Sequence, residues 1–197
     1  MTSKGWFSFW ESKAVLLLLV GSVALNVFSY FKVEGLNSTL AAQQRQHELS
    51  EILQVDDWVP NLKALHLDES VSSISFPAPK MLLVFSKDCH VCQANFPNWT
   101  SLEEEIGREN VLYVATNPLR ATQQYAQQRR IADRTVLFAD QGQRADAFRI
   151  YRVPQTILLA DNQVKAIETG VLTPEKRQRL MDAWSAVAPA DQKVSSE

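Results

Sequence analysis

The chain has 197 residues, of which 46% are hydrophobic and 21% charged, with a formal net charge of -2. That length suggests one globular domain with appendages, the composition supports a real core, and the near-neutral charge argues against a nucleic-acid partner. Two cysteines are too few for a disulfide-built scaffold, so the fold must rest on its core and both sulfurs stay free for exchange.

Residues 1–13 carry Lys4, Lys13 and the terminal amine against Glu11. Ala14 to Phe31 then runs for 18 residues without a charge. As a helix it would span about 27 Å, close to the hydrocarbon thickness of a bilayer. The basic flank puts residues 1–13 in the cytoplasm and the rest across the membrane, and Trp6, Phe7, Phe9 and Trp10 suit the interface. A cleaved signal peptide is the rival reading, with small residues at Ser22 and Ala24. A buried core helix is a third. The apolar stretch continues past that cleavage site through Leu25, Val27, Phe28, Tyr30 and Phe31, which favours an uncleaved anchor at 14–31. The expected location is therefore the inner (cytoplasmic) membrane, single-pass, with a lipid bilayer as partner and the C-terminal domain in the periplasm or an equivalent extracytoplasmic space. Residues 32–57 read as a polar linker with weak helical periodicity at Leu36, Leu40, Leu49, Ile52 and Leu53.

Residues 58–187 show regular alternation. Asn61 to Leu67 and Val71 to Phe76 are short strand candidates. Pro77-Ala78-Pro79 turns the chain into an apolar run, Met81 to Phe85, which predicts a buried strand. A helix is expected from Gln93 to Arg108, with Pro97 in its first turns and Phe96, Trp99, Leu102 and Ile106 on one buried face. Val111 to Ala115 is the next strand, Leu119 to Ile131 a polar helix, and Thr135 to Ala139 a third buried strand. A short helix is predicted at Ala145 to Tyr151. Thr156 to Ala160 and Val164 to Thr169 form a hairpin across Asp161-Asn162-Gln163. Thr173 caps a final helix that opens on Pro174 and ends near Val187, and residues 188–197 are a frayed tail. This order predicts an α/β domain with a mostly parallel sheet.

Cys89-His90-Val91-Cys92 follows the strand at Met81 to Phe85 and opens the next helix. A helix start offers unpaired N–H groups and a partial positive charge, which favour a thiolate over a thiol. Disulfide exchange needs that thiolate, so the placement points to redox chemistry. A passive crosslink over so short a loop gains little. A zinc site needs two further ligands, and His47, His66 and His90 are scattered along the chain. Val153-Pro154 lies at the start of a strand, where proline interrupts pairing. Two readings stand there: a cis proline in a tight turn, or a strand-edge proline.

Taken together, Leu83-Val84-Phe85-Ser86-Lys87-Asp88-Cys89-His90-Val91-Cys92 and Val153-Pro154-Gln155-Thr156-Ile157-Leu158-Leu159 resemble the thioredoxin fold. An extra helix and strand between Asn117 and Asp140, with the anchor, resembles the TlpA/ResA branch, the membrane-anchored extracytoplasmic thioredoxin-like proteins. The resemblance implies a central mixed sheet flanked by helices with a helix–strand insertion, preceded by a transmembrane helix. It implies Cys89 as exposed nucleophile and Cys92 as resolving thiol, with Pro154 beside Cys89 and the Val153 backbone pairing with a substrate strand. The redox-active disulfide Cys89–Cys92 is the only redox group expected, with no bound cofactor or metal. Most such relatives are reductases recharged by a membrane thiol–disulfide carrier, so the implied partners are that carrier and proteins with disulfides or thiols. His90 could tune the Cys89 thiolate when protonated, which would favour the opposite, oxidising direction, or it could be a bystander. Two thiolates also suit Cu(I), as in a metallochaperone, although His47 and His66 both precede the motif. A tethered binding module with incidental cysteines is the remaining alternative. The chain departs from the family at Asp88, where a tryptophan is usual, and at Asn95, where cytochrome-maturation members carry a glutamate thought to assist proton transfer. On sequence alone, Asn95→Glu is expected to speed resolution of mixed disulfides and add a pH dependence, at a modest cost in stability if the site is buried.

Overall fold

The computed structural model describes residues 52–189, with Ser22, Tyr30 and Lys32 as isolated helical positions. The span expected at 14–31 and most of the linker at 32–57 lie outside the described residues. Among the described residues no helix is long and apolar enough to cross a membrane.

Seven strands form one sheet: β1 (Leu62–His66), β2 (Val71–Ile74), β3 (Lys80–Phe85), β4 (Val111–Ala115), β5 (Thr135–Phe138), β6 (Gln155–Ala160) and β7 (Gln163–Thr169), in the order β2-β1-β5-β4-β3-β6-β7. Among the described residues three α-helices with full bounds accompany them: α1 (His90–Ile106), α2 (Leu119–Arg129) and α3 (Pro174–Val187). The sheet is mixed rather than mostly parallel. Only β3–β4 and β4–β5 pair in parallel. Both outer pairs, β1–β2 and β6–β7, run antiparallel because each is a hairpin joined by a short turn. The inserted α2–β5 unit places β5 between β4 and β1.

The central strand explains its own sequence. Met81, Leu83 and Phe85 point into one core with α1 and α3 residues, including Phe96, Trp99 and Trp184. Leu82 and Val84 point into a second core with Leu53, Val59, Phe76 and Phe148. Both faces are buried, so β3 reads as a continuous apolar run instead of an alternating one. The helix predicted at Ala145–Tyr151 is instead a π-helical turn at Gln143–Ala147. Phe148 and Ile150 are 0% and 1% exposed, so this stretch serves as an apolar plug on the second core and the chain leaves the turn early to seat them. The β6–β7 loop is tighter than expected: Gln163 pairs with Ala160, leaving Asp161 and Asn162, both at positive φ, as a two-residue turn.

Candidate active site

Register brings the site together. β3 and β6 are antiparallel neighbours with Val84 opposite Gln155. The chain leaving β3 toward Cys89 therefore meets the chain entering β6 from Pro154. The Val153–Pro154 peptide bond is cis, which decides between the two sequence readings of that proline.

Cys89 is the N-cap of α1, with extended backbone, and its Sγ accepts a hydrogen bond from the Cys92 backbone N–H at 3.0 Å. This is the position usually taken by a serine or aspartate oxygen, filled here by sulfur. Cys89 and Cys92 form a disulfide with Cα atoms 5.2 Å apart. Cys92 is fully buried, while Cys89 is partly exposed, so an incoming sulfur reaches Cys89 first. The Cys89 Sγ lies 3.8 Å from the Val153 carbonyl oxygen. Val153 is partly buried and Pro154 buried. The structure thus assembles Cys89, Cys92, Val153 and Pro154 at one spot. His90 is the first residue of α1 and exposed, and its side chain forms no hydrogen bond among the described residues.

The loop before the cysteines is held by a residue that the sequence reading missed. Asn117 Oδ1 accepts from the Lys87 N–H at 2.6 Å, and Asn117 Nδ2 donates to Asp88 at 3.1 Å. Lys87 closes an ion pair with Asp88. An asparagine at the end of a buried strand, just before a helix-opening proline, was the available signal. Gln93 Nε2 adds a bond to the Lys87 carbonyl at 3.1 Å.

Asn95 lies where the sequence reading attached a stability cost to a glutamate, in a buried site. It is 0% exposed, and both ends of its amide are in use. Nδ2 donates to the Gly170 carbonyl at 2.8 Å, and Oδ1 accepts from the Leu172 N–H at 2.8 Å. It is a crosslink between α1 and the turn after β7, not an idle substitute for a proton carrier. A glutamate there could still accept from Leu172, but its carboxylate has no proton to give Gly170. The expected stability cost of a glutamate therefore has a named cause, the lost donor to Gly170.

Among the described residues no group of three or more His, Cys, Asp or Glu side chains is placed to hold a metal. His66 hydrogen-bonds Ser72 at 2.7 Å, and His47 lies outside the described residues. A cleft of about 450 Å³ between α1 and the end of α2 is lined by Arg108, Arg129, Arg130 and Arg134 with Glu103 and Glu104. Arg129 ends α2, Arg130 caps it and Arg108 follows α1, where carbonyl-rich helix ends favour cations. Arg129 also lies 4.7 Å from the centre of the Phe96 ring, and Glu103 pairs with Arg108 and Arg134. The charge there is accounted for by the fold.

No protein-family model and no curated protein sequence matches the chain. Solved structures do. The chain is similar to the thioredoxin domain of a thiol-disulfide oxidoreductase from Bacteroides vulgatus, at 12% identity and a TM-score of 0.56 over 66% of this chain and 97% of that one. It is similar to a thiol:disulfide interchange protein from Bacteroides sp., at 14% identity and a TM-score of 0.56 over 71% and 94% of the two chains. A peroxiredoxin-like protein from Aquifex aeolicus is also similar, at 11% identity and a TM-score of 0.51 over 67% and 88%. At these identities the likeness speaks for the fold, and with the sheet order and the helix that carries Cys89 it shows that the described domain is a thioredoxin-like α/β domain.

Proposed function

We propose that this chain is a membrane-tethered, extracytoplasmic thiol–disulfide oxidoreductase of the TlpA/ResA kind that reduces disulfides in substrate proteins. The observation that carries the reading is the asymmetry of the pair: a reachable Cys89 sulfur at a helix start, bonded by the Cys92 N–H, and a buried Cys92 behind it. In the reduced state that N–H and the helix end favour the Cys89 thiolate. The thiolate attacks one sulfur of the substrate disulfide, forms a mixed disulfide and releases the first substrate thiolate. Cys92, once deprotonated, attacks the Cys89 sulfur, closes Cys89–Cys92 and expels the second substrate thiolate. The substrate gains two electrons and the protein loses two. A dithiol donor, here a membrane thiol–disulfide carrier, returns them by the same exchange run in reverse. The similar structures named as thiol-disulfide oxidoreductase and thiol:disulfide interchange protein support the activity. The uncharged stretch at 14–31, with its basic flank, supports the tether and the periplasmic placement.

Insulin reduction by the full chain in detergent tests the activity, with Cys89→Ser expected to abolish it and Cys92→Ser to accumulate mixed disulfides. Equal trapping by both variants would contradict the assigned roles. The Cys89–Cys92 reduction potential tests direction: a value near about -270 mV fits a reductase, and one near about -120 mV fits an oxidant. A reporter fused after Glu197 that works only in the cytoplasm would refute the topology.

A further inference from the structure

Three chain segments are bonded to one another at the cysteine end of α1, and one side chain fastens two of them. Asn95 spans from α1 to the turn 170–172 through its bonds to the Gly170 carbonyl and the Leu172 N–H. The amide must sit this way round, because a flipped amide would set donor against donor and acceptor against acceptor. One turn further along α1, Asn98 Nδ2 donates to the Leu172 carbonyl at 3.1 Å. On its other side, the Gly170 N–H donates to the Pro154 carbonyl at 2.9 Å. Gly170 holds a positive φ of 84° that lets one residue face both neighbours. The turn is thereby fixed between the cysteine helix and the proline turn whose Val153 touches the Cys89 sulfur.

What the turn presents is apolar. Val171, at its centre, is 45% exposed, and Val91, between the two cysteines, is 43% exposed. Val91 lies between the cysteines in the chain, the Val153 carbonyl meets the Cys89 sulfur, and Val171 follows Gly170, which is bonded to Pro154, so the three sit on segments joined at the disulfide. A small disulfide needs only the sulfur. A disulfide inside a polypeptide brings flanking side chains, and these gain from an edge already in place, since ordering it on binding would weaken affinity.

We infer that Asn95 is a positioning residue for polypeptide substrates: it holds the 170–172 turn, and with it Val171, beside Cys89, and so sets preference for protein over small-molecule disulfides. The inference rests on the oxidoreductase reading above. Asn95 reaches no sulfur in this arrangement and acts through the turn.

The test compares two substrates, insulin and Ellman's reagent, with the full chain in detergent micelles, for the wild type, Asn95→Asp and Val171→Ser. Asn95→Asp keeps size and the bond from Leu172 but loses the donor to Gly170. The ratio of kcat/KM for insulin to that for Ellman's reagent is expected to fall about tenfold in Asn95→Asp, chiefly through a higher KM for insulin, as expected when a preset binding surface is loosened. Val171→Ser leaves the clamp whole and should lower the same ratio by a smaller factor of about three, because a partner covers only part of this side chain's apolar area. If Asn95→Asp fails to fold, Val171→Ser alone still decides, because a ratio unchanged from wild type overturns the inference. Rates on both substrates that fall in parallel in Asn95→Asp overturn it too, since they mark a residue that only holds the fold. A wild type inert to both disulfides would overturn the underlying reading, which separates the two failures.

Discussion

The two ends of α1 solve the same problem in opposite ways. Near its start, a fully buried polar side chain, Asn95, is neutral and bonded only to backbone. Near its end, a buried polar side chain, Glu103, is a carboxylate held by charged and hydroxyl partners. Arg134 Nη2 approaches it at 2.6 Å, Arg108 Nε at 3.2 Å, and the Tyr113 hydroxyl donates at 3.0 Å. A buried carboxylate persists only where enough donors surround it, and an amide suffices where a backbone carbonyl and an N–H must be joined. The redox end of the helix therefore carries no buried carboxylate at Asn95. In the proposed cycle, the proton leaving Cys92 would find no acid–base relay in that side chain.

The largest expected effect breaks the charged end. Glu103→Ala leaves the Arg134 guanidinium, only 12% exposed, with the exposed Asp133 as its one carboxylate partner, and the Tyr113 hydroxyl without that acceptor. Breaking one side of a buried pair costs about 3–5 kcal/mol, and that loss is expected in urea unfolding at neutral pH. A loss below about 1 kcal/mol would place this pair with solvent-screened surface pairs, and the contrast between the two ends would disappear.

Next comes the redox end, where Asn95→Glu imports the charged solution without its partners. At neutral pH the variant should lose about 1–3 kcal/mol, the cost of an unmatched buried polar group. The sign of its pH dependence follows from burial. A carboxyl with a raised pKa in the fold regains a proton first in the native state, and the protonated group can donate to Gly170 again. The penalty should therefore shrink as pH falls from 7 to 5 and grow as pH rises. Urea curves at the two pH values, together with the mixed-disulfide resolution rate, check this. An undestabilised variant would erase the contrast between the two ends, and an unchanged resolution rate would contradict the sequence expectation.

What the sequence disclosed and what it hid divide along the same line. Cys89, Cys92 and Pro154 were legible because each breaks a local pattern: a helix start after a buried strand, and a proline where a ladder N–H belongs. The strands β3 and β4 were legible because burial on both faces leaves an unbroken apolar run. The role of Asn95 was not, because its partners are backbone atoms 75 and 77 residues away, and backbone groups leave no mark in a sequence. Nor could the pairing of Glu103 with Arg134 be read, since several arginines lie within the same reach of chain. The π-turn at Gln143–Ala147 was misread as a later α-helix because the apolar Phe148 and Ile150 look like a helix face, whereas they plug a core from a turn. The edge order, with β5 slipped between β4 and β1, depends on tertiary pairing that no local period encodes.

The smallest expected effect sharpens the comparison from inside the charged end. Tyr113 is 1% exposed, and its ring stacks on Phe96 with 6.1 Å between centroids. Burial, and next the charge of Glu103, push its hydroxyl pKa well above the ordinary tyrosine value. A group whose folded pKa is raised stabilises the native state fully below its unfolded pKa, about 10, and loses that contribution as pH climbs from there toward the folded value. Above pH 10 the unfolded chain releases this proton while the native protein keeps it. Stability should therefore fall with a slope of about 1.4 kcal/mol per pH unit from this residue alone. Tyr113→Phe keeps the ring and its stacking but removes both the proton and one donor to Glu103. At pH 7 to 9 it should be less stable than wild type by about 1 kcal/mol, the worth of one buried hydrogen bond. Above pH 10 the two urea-unfolding stabilities should converge and then cross, because only the wild type carries the titrating hydroxyl. Measuring both in the oxidised form, with Cys89–Cys92 closed, keeps thiol ionisation out of the comparison. Two lines that stay parallel from pH 8 to 11 would mean that the Tyr113 hydroxyl titrates normally in the fold, and that the donors around Glu103 are looser than the geometry describes.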